Sequence, residues 1–327
     1  MVAQAQTKQY DVMNMDGDDR SGEAVLRTTH LSKQYGAFSA VRDISIAVRP
    51  GEVYGFLGPN GSGKSTTISM LLGLIRPTSG TIEIFGASSE HRTESLACVG
   101  AIIESPSFYP YLSGFDNLSV LGALRGGIRD GRIREVLDIV DLTEAARKHF
   151  GQYSLGMKQR LGIAWTLIHD PDLIILDEPT NGLDPAGVVD VRQLIRSLTE
   201  HGKTVFLSSH LLSEIEQVCD RVAILKRGSV IFEGQVADLL SRNPRVLLTV
   251  DRPREADALL RTRADVKSVI QNEDGNLIIE GEILSETMAN VLVHAGFALH
   301  EMRLERTSLE DIFLILTEGT EKEHTRV

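Results

Sequence analysis

The segment Gly58-Pro-Asn-Gly-Ser-Gly-Lys-Ser65 has the residue types and spacing of a phosphate-binding loop, G-x-x-x-x-G-K-[ST]. Glycines let a backbone curl until several N–H groups face one point, where they surround an anion. Lys64 supplies a cation for the β- and γ-phosphates of a nucleotide, and the hydroxyl of Ser65 is a suitable Mg²⁺ ligand. The residues expected to bind nucleotide are Gly58, Pro59, Asn60, Gly61, Ser62, Gly63, Lys64, Ser65 and Thr66. The alternative is a chance glycine-rich turn.

A second candidate segment places two carboxylates at the end of an apolar run. Residues 173–176 read Leu-Ile-Ile-Leu, and Asp177 and Glu178 follow at once. Ligands bind where parallel strands end, at the carboxyl edge of the sheet. There Asp177 can hold Mg²⁺, directly or through water, and Glu178 can accept a proton from an attacking water molecule. The alternative is two ordinary surface acids at the end of a strand.

The elements around these segments have the order that such a site requires. An apolar run at residues 53–57 predicts a strand before the glycine loop, and a helix over 66–74 follows, ended by Pro77 and Gly80. The unbroken apolar run 173–176 is typical of a central strand covered on both faces. Residues 204–209 predict another strand, and residues 114–168 are mostly helical. The expected core is therefore α/β.

The remaining chain divides into segments that differ in composition and in the pattern of apolar residues. Residues 1–22 and 320–327 are polar and predict tails, the first of them disordered. Residues 23–242 form the predicted nucleotide-binding domain, with a helical part at about 105–168. After Asn243-Pro244, residues 243–319 form a predicted small α+β domain. Its order β-α-β-β-α-β matches a ferredoxin-like sandwich, and a last helix is expected at 309–316.

Composition narrows the class of protein. The net charge of -11 over 327 residues argues against a nucleic-acid partner, whose footprint would be basic. Two cysteines, Cys98 and Cys219, are too few for a disulfide framework and fit a reducing compartment. No apolar run reaches the roughly 20 residues that span a bilayer, and the first residues do not resemble a secretion signal. We expect a cytosolic chain that reaches a membrane only through a partner.

Over residues 24–240 the chain resembles the ATP-binding cassette ATPases, because further motifs follow in that family's order. The aligned segments are Tyr35, Tyr153-Ser-Leu-Gly-Met-Lys-Gln-Arg160, Asn181-Gly-Leu-Asp184 and Ser208-Ser-His210. The resemblance implies that Tyr35 stacks on adenine, that Ser154 and Gly156 contact phosphate as the signature motif, and that Asp184 lies in the loop crossing to a partner. It also makes His210 the switch histidine at the γ-phosphate, beside the catalytic residues Lys64 and Glu178.

Two departures from the family pattern concern the site. Leu155 and Met157 stand in the signature where most relatives carry glycine and glutamine, although Ser154 and Gly156 are retained. Glu104 replaces a glutamine that links Mg²⁺ and water to the transporter. A carboxylate can still coordinate Mg²⁺, so the expected metal ligands are Ser65, Asp177 and Glu104.

The same residues indicate a branch of the family. Glu104 together with Ser-Leu-Gly-Met is similar to the bacitracin-resistance and lantibiotic-immunity exporters, as is the segment Thr307-Ser-Leu-Glu-Asp-Ile-Phe-Leu314. The exposed aromatic residues Phe108 and Tyr109 are the expected contact with a membrane permease on separate chains. A tightly packed loop is the alternative for that stretch.

The resemblance implies a P-loop NTPase fold: a RecA-like core with an antiparallel β subdomain and a helical subdomain, here followed by the ferredoxin-like domain. It implies ATP and Mg²⁺ as ligands, a homodimer or paired ATPase subunit facing head to tail around two ATP, and a peripheral location on the cytoplasmic face of the membrane. The C-terminal domain is expected to regulate or to stabilise the dimer. The alternatives are an importer ATPase, a soluble cassette of DNA repair or translation, and a small-molecule kinase.

Overall fold

The computed structural model describes residues 24–88, 92–104, 106–124, 126–241, 245–272, 275–281, 285–305, 309–310 and 313. The predicted tails and most of the predicted helix 309–316 lie outside these residues. The chain separates into two compact units between Gly234 and Gln235. This division lies before the expected domain boundary at 242/243, so the short helix that follows Gln235 falls within the second unit.

The first unit contains two sheets. A four-stranded antiparallel sheet is built on β1, which pairs with β2, β3 and β5. Its strands are β1 (Leu26–Tyr35), β2 (Phe38–Ile44), β3 (Ala47–Val48) and β5 (Ser79–Ile84). A six-stranded sheet has the order β10-β9-β4-β8-β7-β6. Its strands are β4 (Val53–Leu57), β6 (Val99–Ile102), β7 (Leu173–Asp177), β8 (Thr204–Ser209), β9 (Arg221–Lys226) and β10 (Ser229–Gln235).

Helices connect these strands. Several of them pack against the larger sheet, whereas the two helices within residues 114–139 pack against each other. The helices of the first unit are α1 (Lys64–Leu71), α2 (Arg92–Ala97), α3 (Gly114–Ala123), α4 (Asp130–Ile139), α5 (Leu155–Leu167), α6 (Pro185–Glu200) and α7 (Leu212–Val218). The helix α8 (Val236–Ser241), which follows β10, belongs to the second unit. A 3₁₀ turn at Phe150–Gln152 precedes α5. The predicted alternation over residues 44–48 is divided in the structure, because β2 ends at Ile44 and the chain then joins the other edge of β1 as β3.

The core of this unit lies between the two sheets and around the centre of the larger one. Every residue of β4 and β7 is buried, as the continuous apolar runs predict for strands covered on both faces. Phe206 on β8 stacks against Tyr54 and Phe56 on β4, with ring centroids 5.7 and 5.3 Å apart. This packing holds β4 and β8 in fixed register.

The parallel strands β4, β8 and β7 are adjacent, and all end at one edge of the sheet. The segments following these strands contain Lys64, His210 and Glu178, which are distant in sequence. The fold therefore brings the candidate residues to one edge, as expected for ligand sites in such sheets.

The second unit has the predicted ferredoxin-like order. Its elements are β11 (Arg245–Val250), α9 (Pro253–Leu260), β12 (Val266–Gln271), β13 (Leu277–Gly281), α10 (Ser285–His294) and β14 (Leu299–Glu305). The strands form an antiparallel sheet in the order β12-β13-β11-β14. Alternate residues Val246, Leu248 and Val250 of β11 pack into one core with Met288 and Leu292 of α10.

Candidate nucleotide-binding site

The loop between β4 and α1 needs glycine at both of its ends. A Cβ on Gly58 would lie 2.4 Å from Oγ of Ser62 and 2.7 Å from the carbonyl oxygen of Leu225. Gly63 has φ 105°, a conformation that L side chains rarely adopt, and a Cβ there would lie 2.7 Å from the carbonyl oxygen of Ala40. The tight curl predicted from the sequence is therefore present, and α1 begins directly after it.

The hydroxyl of Ser62 is buried inside this loop. Ser62 is 2% exposed, and within the described part of the chain its Oγ is a buried side-chain oxygen without a hydrogen-bond partner. Buried polar atoms are normally satisfied, so an orphaned one calls for a physical explanation. The loop leads directly into the N-terminus of α1, whose positive end favours an anion such as a phosphate. The loop therefore fits a phosphate group.

Lys64, the first residue of α1, is buried at the same place. Its side chain is 5% exposed, and Nζ donates to the carbonyl oxygen of Gly58 at 2.7 Å. The same nitrogen lies 3.2 Å from Oε1 of Glu178. An unpaired buried ammonium would be strongly unfavourable. In this structure the charge of Lys64 is therefore compensated by the carboxylate that follows β7.

Besides the contact with Lys64, Glu178 is held by Ser208 and His210. Its backbone N–H donates to the carbonyl oxygen of Ser208 at 3.2 Å, and its Oε2 hydrogen bonds with Nδ1 of His210. Its φ of 50° lies in the left-handed region, which costs a non-glycine residue on the order of 1 kcal/mol. Such strain is commonly found where a side chain must be directed to a functional position.

Asp177 is 5% exposed and accepts a hydrogen bond from the Ser208 hydroxyl. Ser65 is exposed in the first turn of α1, and Glu104 is exposed two residues beyond β6. Ile102 pairs with Leu176, and Glu104 and Glu178 each follow that pair by two residues at the same edge of the sheet. Within the described residues no three His, Cys, Asp or Glu side chains form a ready metal cluster.

Ser154 of the predicted signature and Asp184 of the predicted crossing loop each accept a hydrogen bond at the start of the helix that follows. Ser154 caps α5 by accepting from the backbone N–H of Met157 at 3.2 Å, and Asp184 caps α6 by accepting from Gly187 at 3.0 Å. A Cβ on Gly156 would lie 3.9 Å from the Cα of Gly187, so the two helix starts are neighbours. Both capping residues are exposed.

Tyr35 ends β1 and is 47% exposed. The ammonium of Lys33 lies 5.0 Å from the centroid of its ring, a cation–π contact. An exposed aromatic ring at the end of a strand suits a stacking role.

The candidate permease contact consists of a half-buried ring, Phe108, and an exposed ring, Tyr109. Phe108 packs edge-on against Phe150, with centroids 5.2 Å apart. The backbone of Tyr109 is fixed by the buried side chain of Asn117, which accepts from its N–H at 2.8 Å and donates to its carbonyl oxygen at 3.0 Å. The Tyr109 ring is nevertheless 44% exposed. The stretch is thus an ordered segment that presents an aromatic ring to solvent.

Three residues of this site were not predicted from the sequence. Ser208 joins Asp177 to the backbone of Glu178, and Thr180 donates a hydrogen bond to the buried carboxylate of Glu214. The available signal was weak: Ser208 lies two residues before the predicted switch histidine, and Glu214 lies four residues after it. Such spacing alone does not show which residues of the neighbouring segment these side chains contact.

Comparison with known proteins decides the family. The family model described as ABC transporter matches residues 41–181. The chain is 42% identical over 299 residues to the bacitracin transport ATP-binding protein BcrA of Bacillus licheniformis, covering 90% of this chain and 98% of that protein. The chain belongs to the ABC transporter family. It is the ATP-binding subunit of an ABC transporter, and ABC ATPases hydrolyse ATP.

Other relatives and solved structures agree. The lantibiotic transport ATP-binding protein SrtF of Streptococcus pyogenes is 41% identical to this ABC ATPase, over 64% of this chain and 91% of that protein. The structure of cbiO1 from Clostridium perfringens, part of the ABC transporter complex cbiONQ, superposes on this chain with a TM-score of 0.62 and is 25% identical in sequence. The superposition covers 74% of this chain and 96% of the cbiO1 chain. Within the described part of the ABC ATPase, no helix is long and apolar enough to cross a membrane.

Proposed function

We propose that this subunit hydrolyses Mg-ATP as one of two ATPase subunits and drives export through a separate membrane permease. The observation that carries this proposal is the meeting of Lys64, Glu178 and His210 at one sheet edge, beside a loop shaped for phosphate. In this proposal water attacks the γ-phosphorus, the bond to the bridging oxygen of ADP breaks, and Glu178 accepts the proton of the attacking water.

Lys64 has two roles in the proposed cycle. Before nucleotide arrives, its ammonium pairs with Glu178 at 3.2 Å. The phosphates of ATP compete for that ammonium, and the carboxylate is then freed to act on water. His210 stays bonded to Glu178 and keeps it directed to the γ-phosphate. Ser65, Asp177 and Glu104 would hold Mg²⁺, which neutralises developing charge on the phosphate oxygens.

A second subunit is needed because one chain supplies half of each site. Ser154 and Asp184 hydrogen bond to Met157 and Gly187 of their own helices, rather than to the phosphate loop, and both are exposed. We propose that the signature of one subunit faces the loop of another, with two ATP enclosed between them. A copy of this chain or a paired ATPase subunit can fill that place.

The membrane partner is proposed to bind the segment containing Phe108 and Tyr109. The exposed Tyr109 ring, on a backbone fixed by Asn117, is a rigid aromatic anchor of the kind enriched at protein interfaces. This contact would place the subunit peripherally on the cytoplasmic face of the membrane. Relatives named for bacitracin and lantibiotic transport support a drug, antibiotic or peptide as the cargo.

The decisive experiment measures ATP hydrolysis by wild type and by Glu178→Gln, with and without membrane vesicles of the source organism that contain the permease. Stimulation by those vesicles, absent with permease-free vesicles and lost in Glu178→Gln, is the expected result. Wild-type hydrolysis that is indifferent to the permease would instead support a soluble cassette. Bacitracin resistance of cells with and without the active subunit then tests the cargo class.

A further inference from the structure

Thr180 and Glu214 form a buried polar pair next to the proposed catalytic residues. Thr180 is 6% exposed and Glu214 9% exposed, and the threonine hydroxyl donates to Oε2 of the carboxylate. Thr180 lies two residues after Glu178, and Glu214 lies four residues after His210 in the first turn of α7. The pair thus joins the two segments that leave β7 and β8.

These two segments are also joined closer to the sheet. There Ser208 bonds to Asp177 and to the backbone N–H of Glu178, and His210 bonds to the Glu178 side chain. The Thr180–Glu214 bond is a second connection, on the far side of Glu178 along the chain. Glu178 therefore lies between two attachments to the same neighbouring segment.

Thr180 also reaches the segment proposed to cross to the partner subunit. Its carbonyl oxygen accepts from the backbone N–H of Leu183 at 3.2 Å, and Asp184 then caps α6. One residue thus contacts, through its side chain, the helix after His210 and, through its backbone, the turn that presents Asp184.

Stability alone gives little reason for a carboxylate at this position. Burying a charged or polar pair is costly, and well-packed apolar residues in place of buried polar groups are often neutral or stabilising. A hydrogen bond differs from an apolar contact because it fixes direction as well as distance. Direction is what a general base requires, since small misplacements of a catalytic group reduce the rate strongly.

We propose that Glu214 and Thr180 are positioning residues for hydrolysis. Their hydrogen bond fixes the segment of Glu178 against the segment of His210 and so sets the direction of the Glu178 carboxylate. The inference rests on the proposed function, in which Glu178 is the general base.

The test replaces the threonine hydroxyl with a methyl group of similar shape. Thr180→Val should lower kcat for ATP on the order of tenfold or more, while KM for ATP changes by less than about threefold. Thr180→Ser, which keeps a hydroxyl, should restore most of kcat. At the other end, Glu214→Gln keeps an acceptor oxygen and should retain more activity than Glu214→Leu. Rates are measured on the full chain, purified and with permease-containing vesicles.

A matched control is Thr166→Val. Thr166 is also buried, at 5% exposure, and its hydroxyl donates to the carbonyl oxygen of Ile163 at 2.7 Å within α5. The control should lower the melting temperature with kcat unchanged. A wild-type kcat in Thr180→Val, an equal kcat loss in Thr166→Val, or a failure of Thr180→Ser to recover would each overturn the inference. Glu178→Gln separates the two proposals: if it is inactive while Thr180→Val is fully active, only the positioning role fails.

Discussion

The ammonium of Lys64 lies 3.2 Å from Oε1 of Glu178, so the cation of the phosphate loop neutralises the carboxylate beyond β7. Both side chains are largely removed from solvent, with exposures of 5% and 20%. This ion pair links nucleotide binding with hydrolysis, because Lys64, which is proposed to bind phosphate, also pairs with the proposed base Glu178. It leads to separate expectations for the two residues.

Replacing Lys64 should impair nucleotide binding. Hydrogen bonds to charged groups contribute about 1.5–3 kcal/mol, so Lys64→Ala should raise the Kd for Mg-ATP by roughly 10- to 150-fold. Titration of fluorescent ATP measures this. Lys226→Ala, a substitution at the end of β9, is the control and should bind like wild type. Unchanged binding in Lys64→Ala would remove Lys64 from the phosphate site.

Replacing Glu178 should impair hydrolysis and spare binding. A positioned general base contributes about 10²–10⁴-fold to the rate, or roughly 2.7–5.4 kcal/mol of barrier. Glu178→Gln should lose activity on that scale, bind ATP and accumulate as an ATP-bound dimer on size-exclusion chromatography. Glu144→Gln, a change at an exposed acid of the helical region, should behave like wild type. Wild-type turnover by Glu178→Gln would refute the base assignment.

Replacing Tyr109 should disrupt coupling to the permease. A charge on the exposed ring position opposes burial in an interface, so Tyr109→Asp should lose stimulation by permease-containing vesicles while still binding ATP. Leu124→Asp is a matched control, because Leu124 is 79% exposed in the same helical region. Equal stimulation of Tyr109→Asp and wild type would place the permease contact elsewhere.

Replacing Phe206 should destabilise the sheet that supports the site. The ring is fully buried between Tyr54 and Phe56, and large-to-small core substitutions of aromatic residues typically cost about 3–5 kcal/mol. Phe206→Ala should lower the free energy of unfolding by that amount in urea titrations. Phe38→Ala, at a ring that is 63% exposed, should cost far less. Similar losses for the two variants would contradict the core assignment.

The pair Asp170–Lys203 should make stability depend on pH in the acid range. The hydrogen bond from Lys203, at 2.7 Å, lowers the pKa of Asp170 below its ordinary value. A lowered pKa in the folded state means that the stabilisation is present above the unfolded pKa and is lost as pH falls through the folded value. Because Asp170 is 70% exposed, the contribution should stay within about 0.2–1 kcal/mol.

Asp170→Asn tests this contribution by chemical denaturation at several pH values. Its difference from wild type should be present at pH 7 and should shrink below about pH 4. A difference that grows on acidification would contradict the direction of the shift. High salt should also reduce it, because exposed pairs are screened.

The elements predicted from the sequence agree best with the structure where the apolar pattern was clear and the segment was long. The strand predicted at residues 204–209 is β8, Thr204–Ser209, and the buried run 173–176 lies within β7. The order of the second unit was also predicted, and its sheet order confirms the ferredoxin-like fold. Strand β6 and helix α7 were not predicted, because four and seven residues are too few to show a clear periodicity.

The sequence by itself determined the phosphate loop, because that site is made by neighbouring residues. The loop needs the conformational freedom of glycine between residues 58 and 63 and a lysine at the start of the next helix. Both are properties of a short segment, so a sequence motif contains them. The two carboxylates after an apolar strand were determined in the same way. The relatives then established the family that these motifs predicted.

Only the tertiary structure decided which of these residues meet. The parallel order β4-β8-β7 sets Lys64 beside Glu178, His210 against the same carboxylate and Glu214 against Thr180. Such contacts depend on the order and register of strands that are far apart in the chain. The order of the strands cannot be read from residue types and spacing within a short segment. It is set by how the apolar faces of all the elements are buried together.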